Sequence, residues 1–303
     1  MESFAIDKIL VPVDFSVNSI NELSLACAIA SNHNAAIHLL QVADSDDDIC
    51  KPSYHEIAHD FAGTTKKLRE FGKSVAAIFK INCICSAEYG SVTHIILKKA
   101  KQLHADLVVM GKNGLSGPSV LFAGTDVCQV ATKSEIPVLI VPDKIARFNF
   151  TRVLFPLRSL NNMLGKYYRI RPLIAKNQAF VTILSLRNPR DADELHIIHA
   201  LGKLIKEKLQ TDGIAWSIEY YCKDDQFAEK VLGEANDPEK KYDLTVIISD
   251  HQPAQGPFQF GQYEQHVIHR SKTPLLLLHS NGVFLPGEFD PTGKQNEEII
   301  NFE

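Results

Sequence analysis

Three glycines and a threonine carry the most specific chemical signal in the chain. Met110-Gly111-Lys112-Asn113-Gly114 is followed by nine residues and then Gly124-Thr125, so the pattern is Gly, two residues, Gly, nine residues, Gly, Thr. Gly111 and Gly114 let a backbone turn through positive φ and approach a ligand closely. Gly124-Thr125 opens a helical stretch, whose first N–H groups and positive dipole end point back at the loop. With the Thr125 hydroxyl as one more donor, the set makes an anion cradle of the nest type, suited to phosphate. Any strand-to-helix loop also needs glycines, so the spacing alone leaves ligand loop and plain turn both open. Neither Gly-x-x-x-x-Gly-Lys-Ser/Thr nor Gly-x-Gly-x-x-Gly occurs.

A second constellation is His55-Glu56-Ile57-Ala58-His59. On a helix, His55 and His59 share one face as two zinc ligands do, with Glu56 placed as the base. A zinc hydrolase would need a third ligand, with His94 and Glu88 the downstream candidates, and a cleft against that helix. The plainer readings are adventitious metal binding or a solvent-facing turn. Cys83 and Cys85 alternate on a strand and read as small buried residues. Cys27, Cys50, Cys128 and Cys222 have no metal spacing. The pairs His196/His199 and His266/His269 read as helix surface or interface. Asp46-Asp47-Asp48 reads as a solvated loop, compatible with phosphate only through a metal. Ser16 lies near the expected mouth, but no motif places a histidine beside it. Nothing here resembles a catalytic nucleophile with its base.

The elements that must position these groups alternate regularly. Lys8–Val13, Ala35–Val42, Phe79–Ser86, Asp106–Met110 and Pro137–Val141 read as strands. Ile20–Ser31, Tyr54–Phe71, Val92–Leu103 and Gly124–Ser134 read as helices. Apolar strands alternating with helices imply an α/β fold, a parallel sheet covered on both faces. In such sheets ligands bind beyond the strands' carboxyl ends, where strand order reverses. With order 3-2-1-4-5, Asp14 after strand one and Gly111 after strand four flank that point.

The second half repeats the order, with strands at Arg152–Leu157, Ala179–Leu186, Ile214–Tyr221, Asp243–Ile248 and Pro274–Leu278. The first strand matches at an offset of 144 and, from the fourth strand onward, the offset is 137. Asp106 maps onto Asp243, Gly124 onto Gly261, Ser134 onto Ser271 and Pro137 onto Pro274, an ungapped match that argues for internal duplication. The motif decays in the second copy: Gly111 becomes Ile248, Gly114 becomes His251 and Thr125 becomes Gln262, while Asp14 becomes Arg158. One ligand site per chain is expected, in the first half; a different anion using Arg158 and His251 is the alternative to a solvated remnant. The expected domains are 1–145 and 150–280, with a Gly-, Pro- and charge-rich tail at 281–303.

Composition bounds the rest. At 303 residues the chain holds about two domains. It is 45% hydrophobic and 22% charged, with net charge −4, which builds no broad positive field for nucleic acid or acidic membranes. Six cysteines are too sparse for a secreted disulfide framework. The acidic start predicts no signal peptide, and the apolar runs are too short to span a bilayer, so a cytoplasmic location is expected.

The Gly-2x-Gly-9x-Gly-Ser/Thr spacing, the Ile-Leu-Val-Pro-Val-Asp opening and the Ile-Pro-Val-Leu-Ile-Val-Pro closing segment resemble the universal stress protein family. The resemblance covers residues 6–142 well and 151–279 more weakly, so the whole chain resembles a tandem member. It implies two tandem Rossmann-like domains of the adenine nucleotide alpha-hydrolase type, each a five-stranded parallel sheet of order 3-2-1-4-5, and ATP as ligand, with Mg²⁺ as a possible companion. Carried over by motif, Asp14 and Val42 lie near base and ribose, Pro12 and Val13 shape the adenine wall, and Met110, Gly111 and Gly114 line ribose and phosphates. Gly124, Thr125 and the N–H of Asp126 hold the phosphates. The Asp126 carboxylate departs from a simple phosphate site: it caps the helix, repels a polyphosphate or backs a Mg²⁺ ion, with Lys112 as a counter-charge.

The resemblance also implies assembly through strand five, an apolar edge that invites pairing. A tandem chain can pair Pro137–Val141 with Pro274–Leu278 internally as a pseudo-dimer, and a homodimer beyond that is a further option. The leading expectation is an ATP-binding, nucleotide-dependent stress switch or scaffold rather than a turnover enzyme, with slow ATP hydrolysis at most and a protein partner the sequence does not identify. The alternatives are a scaffold that binds no nucleotide and the zinc hydrolase above.

Overall fold

A computed structural model of the chain describes residues 5–15, 19–43, 54–112, 125–145, 147–158, 163–187, 192–222, 227–249 and 262–279. The first half runs β1 (Lys8–Pro12), α1 (Ser19–His33), β2 (Ala36–Ala43), α2 (Tyr54–Phe79), β3 (Asn82–Tyr89), α3 (Val92–Leu103), β4 (Leu107–Gly111), α4 (Thr125–Lys133) and β5 (Val138–Val141). The second half runs β6 (Arg152–Leu157), α5 (Met163–Lys176), β7 (Phe180–Arg187), α6 (Ala192–Thr211), β8 (Trp216–Cys222), α7 (Phe227–Ala235), β9 (Leu244–Ser249), α8 (Gln262–Arg270) and β10 (Leu275–His279).

All ten strands form one sheet, ordered β3-β2-β1-β4-β5-β10-β9-β6-β7-β8. Each half therefore has the order 3-2-1-4-5, and every pairing within a half is parallel. The halves meet at one antiparallel pair, β5 with β10, where Leu139 faces Leu276. Each strand five thus covers the other's apolar edge.

The sheet separates two cores. Ile9, Val11, Ile37 and Leu39 point to one face with Leu25 and Ile29 of α1, and the same core continues through Ile170, Ile174 and Ile205 of the second half. Leu10, Leu40, Val108 and Met110 point to the other, with Ile96, Val127, Val231 and Val267. Strands buried on both faces need near-continuous apolar runs, which is why they are legible.

One element departs from expectation. α2 extends to Phe79, eight residues past Phe71, and β3 begins at Asn82 rather than Phe79. A glycine after an apolar helical turn reads as a helix stop. Gly72 instead lies inside α2, where a Cβ would sit 2.3 Å from the Cys85 Sγ. The glycine is there for packing, and the left-handed Lys80 (φ 55°) ends the helix.

The duplicated residues at the sheet's amino end are joints. The Asp106 carboxylate accepts the N–H groups of Asp7 and Lys8, each at 2.9 Å. Asp243 repeats this with the N–H of Thr151 (3.1 Å) and of Arg152 (2.7 Å). Ser134 and Ser271 each donate to the carbonyl two residues on, at 2.7 and 2.8 Å. No described helix is long and apolar enough to cross a membrane.

Candidate functional site

Strand order reverses at β1, between β2 and β4. The carboxyl ends of these adjacent strands bring Asp14, Val42 and Gly111 to this switch point. Pro12, Val13 and Met110 are buried in the sheet, the last two only 2% and 1% exposed. Asp14, Val42, Gly111 and Lys112 are half-buried and form the accessible rim. Gly114 and Gly124 lie outside the described residues, as does the Thr125 side chain. α4 begins at Thr125, where the helix start was expected.

The two described amides of the glycine loop are occupied. The Lys112 N–H donates to the Val141 carbonyl at 2.8 Å. The Gly111 N–H donates to the Glu22 carboxylate. A Cβ on Gly111 would lie 2.1 Å from the Glu22 Oε2, so the room this glycine leaves is filled by that carboxyl group. Any anion cradle must draw its amides from the residues after Lys112.

Glu22 is the residue that motif reading missed. It stands on the buried stripe of α1 with Leu25, Ala26 and Ile29 and is only 5% exposed. The i, i+3, i+4, i+7 spacing was the available signal, but an acid in a first helical turn reads as a solvated partner of the dipole. Burial, then repulsion from Asp14, pushes its pKa up to about 8, against the Gly111 hydrogen bond that favours the charged form. The switch point therefore holds two adjacent carboxyl groups, one of them largely protonated at neutral pH. Nearby, burial lowers the Lys112 pKa while Asp143 opposes the change.

Asp126, the departure from a simple phosphate site, accepts a hydrogen bond from the Thr93 hydroxyl at 3.3 Å. Its carboxylate is thus engaged with α3.

The second half reverses the charge. The offset of 144 holds from β1 through the start of β7, and it sets Arg158 against Asp14 and Lys166 against Glu22. Lys166 is as buried as its counterpart, at 3% exposed. Ile248 occupies the Gly111 position and is 4% exposed, so a side chain fills the close approach. His251 and Gly261 lie outside the described residues.

The other candidates separate as follows. His55, Glu56 and His59 fall in the first turns of α2, but their side chains lie outside the described set. Of the proposed third ligands, Glu88 is paired with Lys99 at 2.6 Å and His94 is exposed on α3. Among the described residues no three His, Cys, Asp or Glu side chains are grouped to hold a metal. Cys83 and Cys85 are half-buried free thiols facing α2, and burial raises both pKa values. Ser16 and the Asp46–Asp48 run lie outside the described residues.

Residues 5–142 match the family model described as the universal stress protein family. The universal stress protein YxiE of Bacillus subtilis (strain 168) is 29% identical over 145 residues, which is 45% of this chain and 98% of that protein. Among solved structures, a universal stress protein from Archaeoglobus fulgidus DSM 4304 covers 91% of this chain and 97% of its own, with TM-score 0.70 and 18% identity. A functionally unknown protein from Pseudomonas aeruginosa PAO1 covers 91% and 94%, with TM-score 0.59 and 16% identity. At these identities the two structural likenesses speak for fold.

Proposed function

Given that the chain belongs to the universal stress protein family through its first half, we propose that this half binds an adenine nucleotide, ATP with Mg²⁺, and acts in the cytoplasm as a nucleotide-dependent stress switch or scaffold. The observation that supports the reading is the strand order: Asp14, Val42 and Gly111 follow or end three adjacent strands where that order reverses, and ligands of doubly wound sheets settle at such points. Base and ribose would lie against Val42 and Asp14. The phosphates would reach toward Gly114, Gly124, Thr125 and the Asp126 amide at the start of α4, with Lys112 as the nearby cation. Asp126 carries a carboxyl group at this end, in the first turn of α4, so Mg²⁺ would offset its repulsion of the phosphate tail. The reading keeps one site per chain, with the buried Ile248 in place of Gly111 in the second half.

A second reading has its own observation. The amides of Gly111 and Lys112 are spent on Glu22 and Val141, as in a loop built for packing. On that reading the protein acts through protein contacts alone. Thermal melts with and without Mg-ATP separate the two. Ligand at 100 times its dissociation constant adds about 2.7 kcal/mol of stability, and Gly124→Val should abolish the gain. No shift at millimolar Mg-ATP rejects the nucleotide reading.

A further inference from the structure

The duplication supplies an internal comparison at the outer ends of the sheet. In the first half α2 lies against edge strand β3, with Gly72 letting Cys85 approach and the Cys85 thiol donating to the Leu68 carbonyl. In the second half α6 packs on β7 and stands off edge strand β8. A cavity of about 280 Å³ opens between them, near the lower end of small-molecule sites at about 300 Å³.

Its lining is chemically mixed in a directional way. Trp216, Ile218 and Tyr220 alternate along β8, so their side chains share the face toward α6. Opposite them, Gly202 of α6 lines the helix wall. His199, Lys203 and Lys206 line the same wall. Lys206 lies over Trp216, its Nζ 5.4 Å from the ring centroid. At the floor, Ser185 is 1% exposed, and its Oγ is buried without a hydrogen-bond partner. A buried hydroxyl left unpaired is destabilising, and a ligand oxygen in this cavity would supply the missing partner.

We propose that the cleft between α6 and β8 binds a small planar aromatic anion, an aryl carboxylate by class, with its ring between Trp216 and Tyr220 and its carboxylate toward Lys203 and Ser185. The orientation follows from the chain. α6 ends at Thr211 and β8 starts at Trp216, so Glu207 and Gln210 lie at the Trp216 end of the cleft. Ser185 pairs in register with Tyr220 and lies at the other end with His199 and Lys203. A carboxylate avoids Glu207 and finds the cations and the hydroxyl together. This site is separate from the nucleotide crevice and does not depend on it.

Trp216 is the sole tryptophan of the chain, so its emission reports on the cleft directly. The test titrates the full chain with 2-naphthoate and with the neutral 2-naphthalenemethanol. The expected result is a saturable change in Trp216 emission with naphthoate. Lys203→Met, at an exposed position, should weaken naphthoate about tenfold and leave the neutral alcohol unchanged, and Ser185→Ala should weaken both several-fold. Unliganded emission maxima equal to wild type show that the variants fold. No saturable change up to millimolar naphthoate, or naphthoate binding unmoved in both variants, overturns the proposal.

Discussion

Glu22→Gln should stabilise the protein at neutral pH, and the gain should depend on pH in one direction. The buried carboxyl keeps its proton in the folded state to about pH 8, whereas the unfolded chain releases it near 4.5. Between those values the unfolded state binds fewer protons, so stability falls as pH rises. The favourable contribution is complete below 4.5 and lost progressively up to about 8. At about 1.4 kcal/mol per pH unit, the loss is about 3 kcal/mol by pH 7 and approaches about 5 kcal/mol above pH 8. Glutamine keeps the shape and an oxygen for the Gly111 N–H, but has no proton to lose. Urea unfolding of both proteins at pH 5, 7 and 9 measures the difference. With a slope of about 3 kcal/mol per molar urea, the variant midpoint should lie about 1 M higher at pH 7 and further still at pH 9. A difference that is constant with pH, or a variant less stable than wild type at pH 7, would refute the placement of Glu22 against Asp14 and Gly111.

Gly111→Ala puts a Cβ 2.1 Å from the Glu22 Oε2, so the carboxyl must leave its amide partner. The expected cost is about 1–3 kcal/mol, and the double variant with Glu22→Ala should recover most of it in a double-mutant cycle. Asp243→Ala strips acceptors from the Thr151 hydroxyl and from the N–H groups of Thr151 and Arg152. It should cost about 2–4 kcal/mol by urea unfolding, with Asp243→Asn retaining roughly half of the lost stability.

The architecture was legible because each of its signals is local and repeated. Runs such as Ile9-Leu10-Val11 are buried on both faces and leave no other arrangement for a strand. The duplication then checks each assignment twice. The end of α2 was not legible, because Gly72 reads as a helix stop by local rules, whereas its small size answers to packing against Cys85, thirteen residues away in sequence. The strand ends at the switch point were legible, but the side chain packed against them was not. Asp14, Val42 and Gly111 follow from strand order, whereas Glu22 reaches Gly111 from a different element. No motif spacing encodes a contact between residues 22 and 111.

The two ends of the sheet explain why the duplicated halves differ in what they can do. At the amino end the copies still carry the same joints, Asp106 with Asp243 and Ser134 with Ser271, each holding backbone groups that would otherwise be unpaired. Those residues answer to folding, which both halves share. At the carboxyl end Asp14 and Glu22 face Gly111 in one copy, while Arg158, Lys166 and Ile248 take the matching positions in the other. An acid pair replaced by a basic pair, with a side chain filling the close approach, changes which charge the crevice tolerates without touching the strands beneath it. The second half completes the sheet through β10 with a switch point whose charge and packing, Arg158, Lys166 and the buried Ile248, differ from those of the first.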